Sequence, residues 1–336
     1  MAISNDLLSS TLYSIRDSEV DELYKKVAFL DGVKKAGGVE TEPGGIKIQR
    51  PLSIQEHSTI TQLATGYEPV NLAVNDVLRP AIYDWADFVA PIVVTKKEEM
   101  ENSGEYAIVK IVEARMKSVM GMLRREANKQ ILRGDSAVLT SLNTLNGNVN
   151  GTLGSATGFL EHLAVGSQTN VVGGISKATY STTPGWQNQF LNGAGAFAMS
   201  ELYNLYIKAN SVAPMGDIKH VIMSESVLAS YRNALFDKER YIDTKVLDGG
   251  RMALAFNGAI AEQDPQMGFN SSVAGTVGAY MLNYDGIKLV FHADGDFAVS
   301  PFEYISGTTA RAAQLYVKCQ LVADFLGGQG VLINAG

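Results

Sequence analysis

Four histidines, one cysteine and a few neighbouring carboxylates are the side chains from which this 336-residue chain could build a reactive centre. His57, His162, His220 and His292 are scattered. None stands in an H-x-x-x-H or H-x-E-H spacing that would aim two ligands at one zinc ion, so they read as solvated or packed imidazoles. Cys319 is alone, which rules out an internal disulfide and reads as a small buried hydrophobe. Asp294-Gly295-Asp296 offers two carboxylates. A calcium loop needs five or more spaced oxygens ending in Glu, and Phe297-Ala298-Val299 follows here, so a turn between strands is the reading. The glycine-rich stretch from Gly147 to Gly158 lacks the Gly-Lys-Ser/Thr ending of a phosphate loop, and no G-x-S-x-G elbow occurs. Glu98-Glu99 stands in the run Lys96-Lys97-Glu98-Glu99, which reads as a solvated face. Met116, Met120 and Met122 read as core and inter-helix packing before an adaptable partner surface. No catalytic, cofactor-binding or metal-ligating constellation emerges.

Composition points away from several classes. With 46% hydrophobic residues the chain can bury a large core, and its length suits about two domains. Only 19% of residues are charged, which suits a protein that covers its surface with neighbours. The net charge is −7 and no Lys/Arg run, Arg124-Arg125 included, is longer than two, so tight sequence-specific nucleic-acid binding is not expected, whereas loose contact with DNA is compatible. The start lacks a signal-peptide pattern, and no apolar run approaches a membrane span.

The elements that would position any site follow from periodicity. Residues 5–35 read as helix, with Asp17-Ser18-Glu19 placed either to interrupt the segment or to cap a second helix, and Gly37-Gly38 as the stop. Ile46, Ile48, Arg50, Leu52 and Ile54 alternate with polar residues and Pro51, which predicts a strand of edge type. A second extended segment is expected from Thr65 to Val74. Together, residues 39–75 make a long two-stranded arm that buries little against its own domain and needs a surface supplied by something else. A strand is expected at 88–94. Residues 103–134 carry one apolar stripe (Ile108, Ile111, Val112, Val119, Met122, Leu123, Ala127, Ile131), a helix of roughly 45 Å between Ser103 and Gly134. The Gly- and Asn-rich stretch 143–185 reads as loops and short hairpins. Helices near 194–210 and 224–237 then flank a buried strand at 220–223. The tail holds short strands, and Leu315, Val317, Cys319, Leu321 and Ala323 alternate along a long one.

This order of parts resembles the Hong Kong 97-type capsid fold of tailed bacteriophages, an α+β architecture. Local phrases add to the likeness: Pro184-Gly185-Trp186, Ser224-Glu225-Ser226, Arg240-Tyr241, Phe256-Asn257-Gly258, Asp264-Pro265, and Phe297 to Phe302. The resemblance implies an N-terminal arm at 1–38 and an extended loop at 39–75. It implies a peripheral domain at 76–142 with its spine helix at 103–134, an axial domain at 143–275, and closing peripheral strands at 276–336. It implies a major capsid protein that assembles into hexamers and pentamers of an icosahedral head in the virion, without catalysis or cofactor. Its partners would be a separate scaffolding protein, a portal protein at one vertex, a decoration protein and packaged DNA held by non-specific contact. Because the arm starts almost at Met1, no processing is expected. Inter-subunit contacts are expected at Lys47, Arg50, Glu56, His57 and Tyr67 on the arm and at Arg124 and Arg125 on the helix. An encapsulin-like compartment shell is the alternative.

Overall fold

The computed structural model describes residues 5–54, 59–67, 69, 72, 77–101, 105–132, 171–180, 186–193, 197–212, 217–236, 244–246, 252–267 and 277–333. The N-terminal segment is helical, as its periodicity predicts. Helix α1 (Asn5–Lys26) buries Leu8, Leu12 and Leu23 against helix α4 (Glu105–Leu132). It runs straight through Asp17-Ser18-Glu19, and the break falls instead at Val27, whose extended backbone leads into α2 (Ala28–Lys35). Packing sets that corner: Val27 and Phe29 are buried, so the chain turns where both helices can face one core. Gly37, at φ +69°, ends α2 in the left-handed conformation that favours glycine.

Strand β1 (Val39–Glu42) joins a six-stranded sheet, and β2 (Lys47–Ser53) pairs antiparallel with β3 (Leu78–Asp84). The strand that pairs with β2 therefore lies at 78–84, and the described residues of the expected 65–74 segment are not in a strand. Ala81 and Tyr83 explain the choice, since both are fully buried in this register. Pro51 stands directly opposite Pro80, so both missing N–H groups fall in a ladder that, among the described residues, no third strand joins. Trp85 then leads into β4 (Ala86–Thr95), the short helix α3 (Lys96–Glu101) and α4. Ile108, Val112, Met116, Met120, Ala127 and Ile131 form the buried stripe of α4. Its expected caps, Ser103 and Gly134, lie outside the described residues.

The other parts divide between two sheets. A hairpin, β5 (Val171–Val172) and β6 (Ile175–Ser176), turns on Gly173-Gly174, both at positive φ as a tight two-residue turn requires. A seven-stranded sheet has the order β7-β17-β12-β8-β11-β10-β9. Its strands are β7 (Gln189–Asn192), β8 (His220–Met223), β9 (Thr244–Val246), β10 (Met252–Phe256), β11 (Ala259–Gln263), β12 (Val277–Leu282) and β17 (Gly330–Ile333). Helices Met199–Val212 and Glu225–Phe236 pack on it. The six-stranded sheet combines β1 and β4 with β13 (Ile287–His292), β14 (Ala298–Val299), β15 (Glu303–Tyr304) and β16 (Ala310–Ala323). The sheets do not divide at 275/276: β12 and β17, expected among the closing strands, belong to the seven-stranded sheet. Their described side chains are buried on both faces, so no alternation marks which sheet they enter.

Candidate interaction surfaces

The arm has a packed base and an uncovered tip. At the base Ile48, Leu52, Ile54, Ala81 and Tyr83 join the main core, so the strand pair is anchored to its own domain, contrary to the expectation that it buries little there. Tyr83 donates its hydroxyl to the Ala323 carbonyl at 2.7 Å, and Gln320 donates to the Asp84 carbonyl at 2.7 Å. The β5–β6 hairpin supports the base from beside it, where Ile82 N–H donates to Gly173 O at 2.9 Å. Beyond the base the environment reverses. Ile60 is 86% exposed, Tyr67 97% and Leu72 87%, and Leu63 and Leu78 are also open. Isolated apolar side chains on a surface are ordinary, whereas several on one segment are less so.

An apolar groove lies on the body. Between α4 and the β4–β16 ladder is a groove of about 430 Å³, lined mainly by Phe88, Val89, Pro91, Val119, Met122 and Leu315, with Asp87 and Glu126 also in its wall. Among the described residues β4 pairs only with β16, and Pro91 sits on that edge strand as edge chemistry favours. Val89 and Met122 are about half exposed, whereas Met116 and Met120 are buried. The methionine set thus splits between core and surface.

The residues singled out from the sequence are distributed as follows. Lys47 pairs across the hairpin with Asp84 at 2.9 Å. Arg50 reaches off the arm to Glu40, and its Nη2 lies 3.6 Å from Glu42. Glu56 and His57 lie outside the described residues. Tyr67 is at the open tip. On α4, Arg124 is 3.9 Å from Glu22 of α1 and Arg125 is 3.3 Å from Glu126. The structure therefore groups Lys47 and Arg50 at the arm base, apart from Tyr67 and from the two helix arginines. Sequence reasoning missed Ile60, Leu63 and Leu72 at the tip, and Val89 and Leu315 in the groove. Their only signal was apolar character inside otherwise polar or strand-like segments.

The chemistry-bearing residues take structural places. His220 is buried, with Nε2 2.7 Å from Glu262 Oε1 and Nδ1 against the Tyr284 hydroxyl. His292 stacks edge-on against Trp85 at 5.6 Å. Asp294-Gly295 turns the chain after β13, with Gly295 N–H donating to His292 O. Glu98-Glu99 is only in part a solvated face: Glu98 pairs with Arg115 and stays about one-third exposed, whereas the Glu99 side chain is covered and pairs with Arg311. Among the described residues no group of three or more His, Cys, Asp or Glu is placed to hold a metal ion, and no helix is long and apolar enough to cross a membrane.

No protein-family model matches the sequence, and no curated protein matches it. Solved structures do match the fold. The cyanophage A-1(L) capsid asymmetric unit aligns with TM-score 0.58 at 14% identity, over 89% of this chain and 90% of that one. The capsid of the native GTA particle aligns with TM-score 0.53 at 10% identity, over 90% of each chain. The holo-SrpI encapsulin complex of Synechococcus elongatus PCC 7942 aligns with TM-score 0.53 at 12% identity, over 90% of this chain and 87% of that one. The chain has the Hong Kong 97-type fold, an α+β architecture found in viral capsids and in encapsulin shells alike.

Proposed function

We propose that this chain is the shell-building subunit of a tailed-phage head, acting through its interfaces rather than through catalysis. The observation that carries this is the uncovered apolar tip of an arm whose base is fixed in the core. Such a tip finds its partner surface on a second copy, in the groove between α4 and β4–β16. The arm and the groove are different surfaces of one chain, so the contact is heterologous, and copies related by rotation close into rings. Those rings are the hexamers and pentamers of an icosahedral shell. Each subunit is held by several modest contacts at once, so the shell is more stable than any single one. In this reading β2–β3 is the extended loop, α4 the spine of the peripheral domain, and the seven-stranded sheet the axial domain. The subunit sits in the virion, enclosing double-stranded DNA by loose contact, with a separate scaffolding protein, a portal and a decoration protein as partners. An encapsulin-like compartment is the second reading, favoured by the encapsulin match.

Light scattering and negative-stain imaging of the purified chain, alone and with a scaffolding protein co-expressed, test the proposal. Large rings or closed shells are expected. Met122→Asp and Val89→Asp should leave the subunit folded, because both side chains are about half exposed. Either should abolish shells, since an unpaired charge buried at an interface costs about 3–5 kcal/mol. Small discrete oligomers only, even with scaffold present, would overturn the proposal. Closed shells that load a peptide-tagged protein and no DNA would favour the encapsulin reading.

A further inference from the structure

Two short passages carry the chain between its sheets, from β12 to β13 through residues 283–286 and from β16 to β17 through residues 324–329. They run side by side and are sewn together. Gln329 is buried and pairs as a strand would: its Oε1 accepts from Asn283 N–H at 3.1 Å, and its Nε2 donates to Asn283 O at 2.7 Å. The N–H groups of Asp324 and Phe325 both donate to Gly286 O, at 2.9 and 3.3 Å. Gly286 permits this approach, since a Cβ there would lie 2.7 Å from the Phe325 carbonyl oxygen.

Tyr284 stands in the first passage and is gripped from both sides. Its hydroxyl meets His220 Nδ1 on β8, and His220 Nε2 is 2.7 Å from Glu262 Oε1 on β11. Its ring lies edge-on to Phe29 at 5.9 Å and against Gly32 on α2, where a Cβ would overlap the phenol. Helix α2 goes with the six-stranded sheet, because Gly38, just beyond it, accepts from Leu289 N–H of β13 at 2.8 Å. Helix α4 adds a second tie. Its Asn128 donates to both carboxylate oxygens of Asp264, just past β11, at 3.0 Å. Its Leu132 carbonyl accepts from the Tyr280 hydroxyl of β12 at 3.4 Å. One face of the seven-stranded sheet, with Ile222, Tyr280 and Val331, also belongs to the same buried cluster as β13 and β16.

We infer that the two sheets are locked into one rigid body at the paired passages, with Gln329 and Tyr284 as the locking residues and the end of α4 as the second tie. Units joined by a sparse contact ordinarily move against each other. A single tie leaves rotation about itself. Ties on separate elements, built from buried polar groups that find their partners, remove that freedom. Every copy then presents both sheets to its neighbours in one fixed relation, and adjustment between copies falls to the exposed arm tip. The lock is a property of the single subunit; only this consequence for fitting copies together rests on the shell-building reading.

Pulsed electron spin resonance on the unassembled subunit tests the lock. Nitroxides go on Ala229→Cys, exposed on the helix Glu225–Phe236, and on Gln314→Cys, exposed on β16, while buried Cys319 stays unlabelled. The control pair, Ser211→Cys with Ala229→Cys, has both labels on helices over the seven-stranded sheet. The cross-sheet pair should give a single distance with a width close to that of the control. Tyr284→Phe with Gln329→Leu, and then Asn128→Ala added to them, should broaden the cross-sheet distribution stepwise and leave the control unchanged, which separates release of the lock from unfolding. A wild-type cross-sheet distribution clearly broader than the control, or split into two distances, overturns the lock. So does an unchanged width in the folded triple variant. Should that variant fail to fold, the wild-type comparison decides alone. A wild-type chain that never forms shells would sink the shell-building reading and leave this measurement intact.

Discussion

Arg311 and Glu99 form a buried ion pair, Nε to Oε1 at 3.2 Å, with side chains 3% and 7% exposed. Arg311 also donates to Asn5 Oδ1 at 2.8 Å and lies over the Tyr304 ring at 4.7 Å. One guanidinium therefore ties the start of α1, the helix α3 and the β15–β16 ladder. Removing one member strands the other in a medium that solvates it poorly. Arg311→Ala is expected to cost about 3–5 kcal/mol in denaturant unfolding. The double replacement Arg311→Met with Glu99→Leu should cost clearly less, because no lone charge remains. Equal losses in the two variants would contradict the pairing.

The arm and the core make separable demands. Removing residues 60–72 takes away the open apolar tip and spares Ile48, Leu52, Ile54, Ala81 and Tyr83. Circular dichroism and the melting temperature of the subunit should change little, while shells disappear from light scattering. A deletion that begins at residue 46 should instead unfold the subunit, since it removes buried side chains worth roughly 1.5–3 kcal/mol each.

Lys177 makes stability depend on pH. It is fully buried, its Nζ donates to Asn188 Oδ1 at 2.7 Å, and burial pulls its pKa from 10.5 down to about 7. Between those values the unfolded chain holds a proton that the folded chain has released. Stability therefore rises with pH across that window, and the burial penalty applies in full below it. The gain should be on the order of a few kcal/mol. Chemical denaturation at pH 7 and pH 9.5 measures it, and Lys177→Met should flatten the dependence. An unchanged slope in that variant would remove Lys177 as its source.

Cys319 should be inert in the folded chain. It is buried in β16, and burial first, then Asp296 and Asp87, push its thiol up to about 12. Little thiolate forms near neutral pH, and the thiolate is the reactive species. Ellman's reagent should label one thiol per chain after unfolding and almost none before. Rapid stoichiometric labelling in native buffer would contradict this burial.

Local pattern was enough wherever one face of an element is buried and the other is not. The stripe of α4 and the alternation of Leu315, Val317 and Cys319 in β16 are such cases, and both gave the correct element type. The order of these parts carried the resemblance to the Hong Kong 97-type fold. Other features depend on residues far apart in the chain. Glu99 looked solvated because its partner Arg311 lies 212 positions away. The return strand of the arm could be placed only once Ala81 and Tyr83 had a core to enter. Strands 277–282 and 330–333, buried on both faces, carry no alternation to tell one sheet from the other. The sequence by itself determined which segments are amphipathic, because periodicity is local. Tertiary structure alone decided which apolar residues stay uncovered, because exposure is settled only after every other surface has found its partner.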